Sequence, residues 1–186
     1  KVNAYAKEKN IKASDILSVM AAESGLDPSK VNPNGGATGL IQFMPKTARD
    51  LGTTTEALRK MSRSEQFEYV KKYFDMVGLK NGATAGDIYA KVYLPGRSES
   101  EVLTRKGENY YEQNKGLDVG NKGYITKTDL ASIVEKKKQD FKIRDVYPEV
   151  AETPKTTLEP APKMNFNIPT QITPTTTKSG SQVSVL

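Results

Sequence analysis

Three stretches of this chain repeat apolar residues at helical spacing, and each is bounded by residues that start or stop a helix, which commits the fold to being mainly α. In DILSVMAAES, Ile16, Met20 and Glu23 are spaced by four and three and lie along one face. Ser14 is expected to cap its start and Gly25 to close it in the left-handed conformation. In SRSEQFEYVKKYFDMVG, Ser62 and Glu65 have capping-box spacing and Phe67, Val70, Phe74 and Val77 form the stripe to be buried, with Tyr69 and Tyr73 packing at its flanks. TAGDIYAKVY ends at LPG, where proline and glycine stop the helix and leave Tyr89 and Tyr93 one turn apart on one side. Apart from the final SQVSVL, no segment alternates convincingly with period two. The loop 29–41 has room for a small β-hairpin.

Composition divides the 186 residues into zones. Residues 1–98 hold nearly all the helical periodicity. Residues 99–147 are polar with one further helix, over 127–139, whose lysines 136–138 suit a solvated C-terminal end. From Pro148 onward lie six of the ten prolines, with threonine-rich runs such as TPTTTKSGS. This composition cannot bury enough apolar surface to offset ordering entropy, so 148–186 is expected to be a disordered linker or an arm that orders against a partner. Its SQVSVL end could add a strand to a neighbouring sheet. The chain begins at Lys1 rather than Met, as if cut from a longer precursor.

Two absences limit the chemistry. Without histidine or cysteine the chain cannot build a Ser-His-Asp triad, a Cys-His pair, a disulfide, or zinc sites of imidazole and thiolate. Proton transfer therefore falls to carboxylates, hydroxyls, amines or the backbone. The net charge of +6 fits either an anionic partner or simply spare lysines. Between Val31 and Pro45, however, there is no lysine or arginine, and no Gly-Lys-Ser or Gly-Lys-Thr follows the glycines. A nucleic-acid or phosphate site is not expected there, and no apolar run is long enough to span a membrane. VNPNGGATGLIQF offers instead tight turns that let backbone approach a ligand, and Gln42 offers an amide suited to sugar hydroxyls and N-acetyl groups. The Glu23 carboxyl, aligned with apolar neighbours, should be half-buried and raised in pKa toward a general acid. Asp27 reads as a turn residue.

Residues 118–129 have the outline of a calcium loop: Asp118 and Asp129 at the ends, Gly123 at the turn and Ile125 at the apolar position. Gly120 and Lys122 stand where oxygen ligands are needed, so the loop is expected to keep the shape without the ion, and no metal or other cofactor is expected.

ESG at 23–25 followed by NPNGGATGLIQFMP at 32–45 resembles the soluble lytic transglycosylase family of the lysozyme superfamily, particularly its bacteriophage virion members. The resemblance covers about residues 10–98. In that family a glutamate-serine pair ends a helix, a Gly-Leu-Met-Gln motif lines the cleft and a later helix supplies a tyrosine. GLIQ departs by isoleucine for methionine. The third motif, usually Ala-Tyr-Asn, is met by Val92-Tyr93-Leu94 and lacks its asparagine. The resemblance implies a lysozyme-like helical domain that cuts the β-1,4 bond between N-acetylmuramic acid and N-acetylglucosamine in peptidoglycan. Glu23 would protonate the leaving oxygen and then accept the proton of the muramyl 6-hydroxyl, giving a 1,6-anhydro product. Ser24, Gly39, Gln42 and Tyr93 would serve the substrate, with Tyr89 as second choice for the tyrosine. It further implies a component of the phage tail that acts on the host wall in the periplasm, its arm meeting other tail subunits. A goose-type muramidase hydrolase and a structural tail or baseplate protein with a lysozyme-like domain remain as alternatives.

Overall fold

The computed structural model of the chain describes residues 1–145. These are mainly helical, with one small antiparallel sheet. The Pro/Thr-rich arm expected over 148–186, with its strand-like end, lies outside the described residues.

Helix α1 (Val2–Glu8) leads to α2 (Ala13–Ser24), and the Ile16–Met20 face of α2 is buried as its spacing requires. Gly25 closes α2 with φ +67° and donates its N–H to the Ala21 carbonyl at 3.0 Å. At the other end the expectation needs correction. Ser14 is the second residue of the helix rather than its cap, because Asp145 supplies the cap from 131 positions away. The Asp145 carboxylate accepts from the Ser14 N–H at 2.9 Å and from its hydroxyl at 2.8 Å, which puts a negative charge at the positive end of the helix.

Short helices α3 (Pro45–Asp50) and α4 (Thr55–Arg59) follow the loop, and then comes α5 (Arg63–Met76). Ser62 and Glu65 form the reciprocal capping box, and Phe67, Val70 and Phe74 face the core. Val77 closes the helix and is only partly covered, whereas Tyr73 is buried and donates to the Lys91 carbonyl at 2.7 Å. Helix α6 (Ala85–Tyr93) opens on a second capping box, Thr84 with Asp87.

The polar segment after α6 shares this core. Strands β1 (Val102–Arg105) and β2 (Tyr124–Thr126) pair antiparallel, with the extra residue Leu103 bulging inward. Between them lies the short helix α7 (Asn109–Gln113). Helix α8 (Lys127–Asp140) then packs on both α6 and α2 through Leu130 and Val134. Close approach to α6 depends on Gly86, where a Cβ would come within 2.4 Å of the Lys127 carbonyl. At the far end of α8, Lys138 is not the solvated charge expected. It pairs with the buried Asp15 of α2 at 2.5 Å.

The regular β structure therefore stands at 102–126 and not in the loop 29–41. That loop holds only isolated bridges, Val31 with Thr38 and Thr38 with Phe43, because its turns at Gly36, Gly39 and Gln42, all with positive φ, leave no run long enough for a strand.

Candidate active site

Glu23 sits in the last turn of α2, half-buried, with Tyr89 of α6 at its carboxyl. Burial pushes the Glu23 pKa up to about 7. A hydrogen bond from Tyr89 and the positive charge of Lys30 pull in the other direction and moderate the rise. The Lys30 ammonium is held there by the Glu23 backbone carbonyl, which it meets at 3.1 Å. Tyr89 is itself buried, and burial together with the Glu23 charge raises its own pKa, so the phenol stays protonated and donating. Burial also pushes Tyr73 up to about 12, with the Glu23 charge contributing. The acid is thus flanked by two neutral phenols and one ammonium.

The tyrosine at the acid is therefore Tyr89, and the first choice from sequence, Tyr93, stands one turn further along α6. Its hydroxyl donates to the Tyr110 carbonyl of α7 at 3.0 Å, which fastens α7 to α6. The two share a face, as their spacing requires, but only the buried one reaches the acid.

Ser24, one residue past the acid, is buried, and its hydroxyl lies 2.9 Å from the Met20 carbonyl and 3.1 Å from the Leu40 carbonyl, with one proton shared between them. It ties the end of α2 to the GLIQ loop. The other side of the Leu40 residue is held by Gln66 of α5, whose Oε1 accepts the Leu40 N–H at 2.5 Å. Gln66 is 0 % exposed, and its Nε2 donates to the carbonyls of Pro28 and Leu58 at 2.9 Å each. One side chain thus holds two loop segments and helix α4 against α5. Gly39 has to be glycine for the same reason: its φ is +82°, and a Cβ would fall 2.3 Å from Gln66 Oε1.

Gln42, with φ +52°, folds its amide back on the loop and donates from Nε2 to the Gly39 carbonyl at 3.0 Å and to that of Lys30 at 3.4 Å. Its Oε1 accepts nothing from the described residues and is the part of the side chain left for a ligand. Asp27 is exposed and makes a turn with Ser29, accepting from the Ser29 N–H and hydroxyl at 2.8 and 2.7 Å. It supplies no second acid to the site.

Sequence reasoning missed Gln66 and Lys30. A glutamine inside an amphipathic helix reads as one more polar position, and only the Gly39 requirement hints that something occupies the space beside it. Lys30 lies just outside the lysine-free stretch.

The family model of the Transglycosylase SLT domain matches residues 1–68. The match supports the soluble lytic transglycosylase family, and Glu23, Ser24, the GLIQ loop and its anchor Gln66 all fall inside it. No curated protein and no solved structure matches the chain. The SLT domain supports a peptidoglycan-degrading function of the lytic transglycosylase type. Among the described residues no helix is long and apolar enough to cross a membrane.

Proposed function

We propose that the protein cleaves the β-1,4 bond between N-acetylmuramic acid and N-acetylglucosamine without water, Glu23 acting first as acid and then as base. The observation that carries this reading is a lone half-buried carboxyl, its pKa raised by burial to about 7, next to a rigidly held glycine loop and, among the described residues, with no second acid beside it. A carboxyl titrating near neutrality is divided between the protonated form that donates and the ionised form that accepts, so one group can serve both steps. In the first step the glycosidic oxygen takes the Glu23 proton as the bond to the anomeric carbon breaks. In the second, the carboxylate takes the proton of the muramyl 6-hydroxyl while that oxygen bonds to the anomeric carbon. The proton balance closes on Glu23, and the product is a 1,6-anhydro sugar. Tyr89 orients the carboxyl through its hydrogen bond, while Ser24 and Gln66 fix the Leu40 backbone. The side-chain Oε1 of Gln42 would accept from a sugar hydroxyl or N-acetyl N–H. Hydrolysis would ask for a second carboxylate to activate water or hold an intermediate, and Asp27 is committed to its turn.

The phage-tail setting, with action on the host wall in the periplasm and the arm bound to other tail subunits, belongs to the same proposal and rests on the motif resemblance. Mass spectrometry of digested peptidoglycan tests the activity. Anhydromuramyl ends are expected from the wild-type chain and none from Glu23→Gln. Reducing ends would assign a hydrolase, and intact glycan with both proteins would leave a structural component.

A further inference from the structure

The loop Asp118–Asp129 keeps the framework of a calcium loop around a cation of its own. Gly123, at the sixth position, has φ +83°, and Ile125, at the eighth, is fully buried and pairs with Thr104 of β1. The end carboxylates are turned inward, Asp118 being 5 % and Asp129 4 % exposed. Two such groups converging on one space repel unless a positive charge stands between them.

That charge is the Lys122 ammonium. It donates to Asp129 Oδ1 at 2.6 Å, to the Val119 carbonyl at 2.6 Å and to Asp118 Oδ1 at 3.3 Å, which uses all its N–H bonds. The remaining carboxylate capacity goes to the loop itself. Asp118 also accepts from the Lys122 and Gly123 backbone N–H groups at 3.0 and 2.8 Å and from the Tyr111 hydroxyl at 2.9 Å. Asp129 Oδ2 accepts from the Thr126 N–H and hydroxyl at 2.9 and 2.7 Å, capping α8. Among the described residues no cluster of three or more acidic, histidine or cysteine side chains could hold a metal.

We propose that Lys122 is the resident cation of this loop, its ammonium standing where a calcium loop holds its divalent ion, so that the segment folds without metal. The consequence reaches beyond the loop. Through Asp118 the ammonium fixes Tyr111 of α7, and the neighbouring Tyr110 carbonyl receives Tyr93 of α6, while through Asp129 it fixes the start of α8. One charge thereby joins β2, α6, α7 and α8.

Thermal unfolding of the full chain, in millimolar calcium and in EGTA, tests this. The wild-type chain should melt at the same temperature in both. Lys122→Met keeps the aliphatic stem and loses the charge, and in EGTA it should melt roughly 5–10 °C lower, as expected when one partner of a largely buried ion pair is removed. The double substitution Gly120→Asp/Lys122→Asp restores oxygen ligands, so it should melt low in EGTA, rise in calcium, and bind the ion in a calorimetric titration. A wild-type melt that rises with calcium would overturn the proposal. So would a Lys122→Met chain as stable as wild type, or a double variant indifferent to calcium.

Discussion

At Glu23 the catalytic role proposed above and the stability of the fold oppose each other. Its pKa is raised from 4.5 to about 7, chiefly by burial, so the folded state disfavours the ionised form. Stability is therefore fully present below about pH 4.5 and is lost as pH rises through about 7. Glu23→Gln cannot ionise; above pH 7 it should be more stable than wild type by about 1–3 kcal/mol, allowing for the partial exposure of the carboxyl, and denaturant melts at pH 5 and pH 8 will show whether the gain is confined to the higher pH. The same change should lower glycan cleavage by at least about 100-fold. Tyr89→Phe removes a hydrogen bond that pulls the Glu23 pKa down, so the alkaline fall in kcat/KM should move to higher pH, whereas Tyr93→Phe, acting on the α7 carbonyl, should leave that limb in place. Sequence spacing placed Glu23 on the inward face of α2, since Ile16, Met20 and Glu23 share a face. It did not rank the tyrosines, because residues one turn apart share a side and only packing decides which is buried against α2.

The elements most readable in the sequence were those whose ends are set locally. The capping box at Ser62 and the closing glycine at Gly25 lie within a few residues of the turns they serve. Features set from a distance were not readable: the cap of α2 comes from Asp145, and the partner of Lys138 is Asp15. The GLIQ loop belongs to this second kind, because its conformation depends on Gln66 in another helix. Gln66→Ala leaves the Leu40 N–H and the Pro28 and Leu58 carbonyls without their buried partner, and should cost about 2–4 kcal/mol in a denaturant melt. Gly39→Ala should be comparably damaging, since both its positive φ and the Gln66 side chain exclude a Cβ. Gln42→Ala removes only two hydrogen bonds within the loop region and a free acceptor. It should spare stability and raise KM.

Across the described residues, composition suggested a helical domain followed by a polar extension, while the structure gives residues 1–145 one compact unit in which α8 covers α2 and α6. The polar character of 99–145 hid this role, because a few residues, Leu103, Ile125, Leu130 and Val134, make its contribution to the core. A chain ending at Ser98 would expose the faces of α2 and α6 that α8 covers, and it should show no cooperative thermal transition, a result readable by circular dichroism. The small sheet escaped notice because each strand is only three or four residues long. On the proposed mechanism one carboxyl both gives and takes the proton while the substrate's own hydroxyl replaces water. Digestion of peptidoglycan in water enriched in oxygen-18, read by mass spectrometry, separates this from hydrolysis: fragments should end in anhydro sugars with no heavy oxygen at the cleaved position, and heavy oxygen on newly formed reducing ends would contradict it.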